Sequence, residues 1–79
     1  MRLNPNPARN TLQIYIKGLQ LNKPSTISVM SSAGVLLKTI QSNSSDRVVQ
    51  LDVSSLASAV YAIKVINGEK VADKQFVKL

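Results

Sequence analysis

Apolar residues in this chain recur at every second position, in short runs broken by turn residues. That period fits strands with one buried face and does not fit amphipathic helices. Leu12–Lys17 alternates cleanly, with Leu12, Ile14 and Ile16 on one face and Gln13, Tyr15 and Lys17 on the other. Thr26–Ser32 turns Ile27 and Val29 inward, Arg47–Val53 turns in Val49, Leu51 and Val53, and Val60–Ile66 turns in Tyr61, Ile63 and Val65. Val35–Ile40 is ambiguous, because Lys38 lies between Leu36 and Ile40 on the same side. The last run, Lys70–Leu79, is β-like but irregular. Phe76 is its core candidate, and Lys74 shares the parity of Phe76, which predicts a bulge or an open edge.

The breaks between runs support the same reading. Asn67-Gly68 lies between apolar runs and predicts a tight hairpin, since both residues tolerate positive φ. Ser32-Ala33-Gly34 fits a short hairpin with Gly34 left-handed. Residues 18–25 and 41–47 read as longer loops. Pro5 and Pro7 disfavour a helix and a central strand, so residues 1–10 read as an extended lead-in or the end of a linker. Short strands spaced about 8–12 residues apart predict an all-β fold, an immunoglobulin-like antiparallel β-sandwich of roughly six or seven strands.

The 79 residues make one domain, 1–79. A chain of that length buries roughly 60–65% of its unfolded surface, so its core is small. A hydrophobic share of 44% is that of a folded domain rather than a disordered tail. No apolar run approaches the roughly 20 residues needed to cross a bilayer, so no membrane span is expected. The opening Met1–Pro7 has prolines where a signal peptide needs an apolar block, so the chain is expected to be a piece of a longer protein.

Reaction chemistry is hard to assemble from this sequence. It has no cysteine and no histidine, which removes thiolate ligands, disulfides and the commonest general base. The serines lie in loop and turn contexts where backbone hydrogen bonding accounts for them. Asp46, Asp52, Glu69 and Asp73 have no spacing typical of a carboxylate pair or a calcium loop. No enzyme activity, metal or cofactor is expected. The formal charge of +6 comes from ten scattered bases against four acids. A single-strand nucleic-acid binder combines a basic groove with stacking aromatics. Here the aromatics are Tyr15, Tyr61 and Phe76, with the last two assigned to the core, so no nucleic acid is expected. The lysines read first as a solvated face that discourages edge-to-edge aggregation.

Tyr61 follows "SSLASAV", and this stretch has the parts of a folded-back corner. Asp52, Ser54 and Ser55 can hold a tight turn. Leu56 can plug the sandwich edge, and small residues allow a close crossing. Tyr61 is then either a plain core aromatic or a corner tyrosine whose hydroxyl bonds upstream backbone.

Three blocks in series carry a family resemblance. They are "NPNPARNTLQIYI" (4–16), "ISVMSSAGVLLKTI" (27–40) and "LDVSSLASAVYAIKVINGEKVADKQFVKL" (51–79). Together they resemble the C-terminal sorting domain, type A, of cargo proteins of the type IX secretion system of Bacteroidota. The family usually has aspartate at the position of Ser31 and glycine at that of Ala59, so turn geometry is in question at both.

The resemblance implies a folded label behind a fused upstream cargo. The cargo passes through the periplasm, is recognised by the outer-membrane translocon, and reaches the cell surface or medium. A sortase-like processing machinery often removes the label, at a bond that can lie upstream of Met1. The family's functional C-terminus maps onto Lys74, Gln75, Phe76, Val77, Lys78 and Leu79. From the residues themselves, this segment either closes the sandwich or offers a bare edge for strand addition, which also leaves strand-paired dimers open. Two other readings stand beside it: an immunoglobulin-like adhesion or spacer module, and a module binding anionic polysaccharide or lipid through the positive charge.

Overall fold

The computed structural model describes residues 1–16, 24–42 and 48–79. The expected loops over 18–25 and 41–47 fall mostly outside the described residues, as do Lys17 and Arg47 at the ends of two expected strands. Seven strands form in chain order: β1 (Arg2–Asn4), β2 (Thr11–Tyr15), β3 (Thr26–Ser31), β4 (Leu36–Gln41), β5 (Val48–Asp52), β6 (Ala59–Asn67) and β7 (Lys70–Lys78). They make an antiparallel β-sandwich, with β1-β2-β5 in one sheet and β4-β3-β6-β7 in the other. Within the stretch read as a lead-in, Arg2–Asn4 pairs with Gln13–Tyr15 as an edge strand.

The alternating residues meet between the sheets. Leu12, Ile14, Ile27, Val29, Leu51, Val53, Ile63, Val65 and Phe76 are all at most 2% exposed. Ile16 and Tyr61 complete this layer, with Val49 and Leu56 packed at its rim. Each buried aliphatic side chain contributes about 1.5–3 kcal/mol.

The ambiguity in β4 has a local cause. Ile40 pairs with Ile27 and Lys38 with Val29, but Leu36 pairs with Met30, because the register shifts between Val29 and Met30. The shift leaves Leu37 without a pair and turns Leu36 to the outer face, where it is 59% exposed. Only Ile40 of the strand's two candidates packs against the core.

The β3–β4 turn works without the family's aspartate. Ser31 Oγ accepts the N–H groups of Ala33 (3.3 Å) and Val35 (3.2 Å), while its carbonyl accepts the Gly34 N–H (2.9 Å). Gly34 has φ +83°, the left-handed conformation that favours glycine. Ala59 needs no such conformation, since no described residue other than glycine has positive φ.

The β5–β6 connection crosses between the sheets, and Tyr61 closes it. Its hydroxyl donates to the Ala57 carbonyl at 2.6 Å, which makes it a corner tyrosine. Asp52 Oδ1 accepts the Ser54 hydroxyl (2.6 Å) and the Ser54 N–H (2.9 Å). The hydroxyl first, then the N–H, hold the Asp52 carboxyl below the usual carboxylate range. Replacing Tyr61 with phenylalanine is expected to lower unfolding stability by about 1 kcal/mol, the net value of one such bond. Chemical denaturation would read this, and an unchanged midpoint would reduce Tyr61 to a core ring.

Candidate docking strand

The expected terminal segment, Lys74 to Leu79, runs through the end of β7, the second arm of the β6–β7 hairpin, with Leu79 just beyond it. Asn67 pairs with Lys70, so Gly68-Glu69 forms the two-residue turn. Gly68 takes φ +62°. The turn therefore sits one residue later than the Asn67-Gly68 reading placed it. Asn67 is instead a strand residue, 1% exposed. Its Nδ2 donates to Ser25 Oγ at 2.9 Å. Ser42 Oγ accepts the Ser25 N–H, and the Ser42 N–H returns to the Ser25 carbonyl. This buried cluster ties together the ends of β3, β4 and β6. None of its serines stood out in the sequence.

β7 runs in continuous antiparallel register along β6, from Lys70 to Lys78. Lys74 does not mark a bulge there. It lies at the edge of the four-stranded sheet, exposed although it shares Phe76's parity. Phe76 turns inward and stacks on Tyr61, with ring centroids 5.6 Å apart. The exposed members of the segment are Lys74, Gln75, Val77 and Leu79. Lys78 is 8% exposed, its stem buried along the sandwich rim and its Nζ donating to the Leu79 carbonyl oxygen at 2.8 Å. The lysines of the terminal segment therefore differ: Lys74 stands exposed, while Lys78 is largely buried.

The outer edge of β7 is also not bare at its end. A strap, Asn6–Ala8, lies alongside it, with Ala8 bridged in parallel to Lys78. The Ala8 N–H donates to the Val77 carbonyl (2.8 Å), and the Leu79 N–H donates to the Ala8 carbonyl (2.9 Å). Asn6 Oδ1 accepts the Val77 N–H at 2.9 Å. Ala8 is fully buried, and a larger side chain there would lift the strap. The prolines at 5 and 7 told of an extended approach, but nothing in the sequence showed where it would dock.

Among the described residues, no cluster of His, Cys, Asp and Glu could hold a metal ion, and no helix is long and apolar enough to cross a membrane. The features that stand out are a sandwich closed by a corner tyrosine and a C-terminal strand at a sheet edge. Those belong to an immunoglobulin-like antiparallel β-sandwich. The model of the secretion system C-terminal sorting domain matches residues 2–79, and the chain belongs to that family. It is a type IX secretion sorting domain of the kind found in Bacteroidota. The family is one of sorting signals rather than catalysts. No curated protein matches the chain.

Proposed function

We propose that the outer-membrane translocon reads this domain through β7, sending an upstream cargo from the periplasm to the cell surface or medium. Sortase-like processing then removes the label. The observation that supports this reading most directly is the division of labour along β7. Phe76 is locked into the core, while Gln75 and Val77 of the same strand, and Leu79 just after it, are exposed. A strand held rigidly from inside offers its outer side chains at low entropic cost to a partner.

The test fuses residues 1–79 behind a periplasm-directed reporter in a host with this secretion system. Surface display should depend on the translocon. A Val77→Ser/Leu79→Ser double variant alters only exposed side chains, so it should melt as the parent does. Its display should fall about tenfold, the equivalent of about 1.4 kcal/mol of lost contact. Display without the translocon would overturn the sorting reading. Full display of the folded double variant would remove these residues from recognition.

A further inference from the structure

The strap covers only the last part of the β7 edge, and what remains open has a definite chemistry. In a two-residue hairpin the residues flanking the turn share hydrogen bonds, so Lys70, Ala72, Lys74 and Phe76 direct their backbone groups toward β6. Val71, Asp73, Gln75 and Val77 direct theirs outward, as the bonds from Val77 to the strap show. The strap ends at Gln75, whose carbonyl takes only a long 3.5 Å contact from Asn6 Nδ2. Among the described residues, no strand lies beyond Val71–Gln75.

Side-chain charge then selects the occupant. Lys70 and Lys74 are exposed and share one face of β7. Across the sheet they face Asn67 and Ile63, with no carboxylate opposite either. Neither makes an ion pair with a described residue. Asp73, on the other face, has the opposite charge of Lys64 across from it in the register. Val71 beside it is 57% exposed. A shallow depression of about 380 Å³, lined by Met30, Ala62, Asp73, Lys74 and Gln75, adjoins the edge.

Resting on the sorting reading above, we infer that Val71–Gln75 accepts an extended partner segment carrying two carboxylates four residues apart. The segment adds a strand beyond β7, its acids facing Lys70 and Lys74 and an apolar residue facing Val71. A second copy of this chain does not fit. The antiparallel self-pairings centred on Val71 to Lys74 set Glu69 against Asp73, Lys70 against Lys74, Asp73 against Asp73, or Lys74 against Lys74, and the one centred on Gln75 needs the Val77 backbone groups that the strap already occupies. Like charges directly opposite are destabilising.

The experiment titrates the full chain with a dye-labelled extended peptide bearing two glutamates four residues apart in a Val/Thr background. A twin with glutamines and a twin with lysines serve as comparisons. Anisotropy should show the glutamate peptide binding about tenfold more tightly than the glutamine twin, an advantage that shrinks as salt rises. Amide exchange at Val71, Asp73 and Gln75 should slow on binding. Asp73→Pro removes an outward N–H that β6 does not use, so it should abolish binding without unfolding the sandwich. Should that variant fail to fold, a Lys70→Glu/Lys74→Glu pair on exposed side chains should switch preference to the lysine twin.

Equal binding of acidic and neutral peptides, unchanged exchange, or self-association through this edge would each overturn the inference. Retained peptide binding in a folded Asp73→Pro variant would do so too. Peptide failure with reporter export intact sinks this inference alone. Export failure with peptide binding intact sinks the sorting reading instead.

Discussion

Phe76→Ala is expected to leave a large fraction of the domain unfolded at ambient temperature. The ring is 1% exposed and stacked on Tyr61 at an interplanar angle of 27°. Truncating a fully buried phenylalanine costs about 3–5 kcal/mol, combining lost transfer energy with the cavity left behind. A small domain without disulfides has a total stability of only about 5 kcal/mol, so this one change removes most of it. Phe76→Leu should cost about 1–2 kcal/mol, since it keeps most of the volume. Val77→Ala, one residue along and facing solvent, should cost under about 0.5 kcal/mol. Urea titrations followed by far-ultraviolet circular dichroism would rank the three. A Phe76→Ala midpoint equal to that of Val77→Ala would show that β7 is not anchored through this ring, and the division of labour proposed for the strand would fall with it.

What could be read in advance follows from what the pleat imposes locally. Alternation fixed the inward faces of β2, β3, β5 and β6, because a strand with one buried face must place apolar residues at every second position. Phe76 was found the same way. Corner closure by Tyr61 needed only a tyrosine after a turn with small residues, so it stood as one of two open readings that the Ala57 bond now resolves.

The misses are all long-range or register effects. The Val29/Met30 shift that turns Leu36 outward depends on how two strands count against each other, which neither strand shows alone. Lys78 looked like a solvated lysine. Its burial depends on the strap and rim around it, brought there from the other end of the chain. Likewise the strap covers only the last part of the edge, moving the open surface from the last residues to Val71–Gln75. The basic charge likewise needed the register before it meant anything, because only pairing shows that Asp73 lies opposite Lys64 while Lys70 and Lys74 lie opposite Asn67 and Ile63.

Asn67 separates the two ways of reading the hairpin, and its replacement by glycine is the sharpest test. At a left-handed turn position, Asn and Gly are near equivalents, so Asn67→Gly would be close to neutral there. Here Asn67 ends β6 as a buried strand residue, and its amide donates to Ser25 Oγ. Removing it leaves a buried hydroxyl short of a partner, which costs about 1–3 kcal/mol. Glycine in a strand adds about 0.5–1 kcal/mol of backbone entropy on top. Asn67→Gly is therefore expected to destabilise by about 2–4 kcal/mol, and Asn67→Ala by slightly less. Ser25→Ala alone should cost about 1 kcal/mol, and the double variant should cost less than the sum, because the two side chains share one bond. Equilibrium denaturation of the four proteins closes the cycle. A neutral Asn67→Gly would return Asn67 to the turn, shift the β6–β7 register, and with it reverse which β7 residues direct their backbone groups outward.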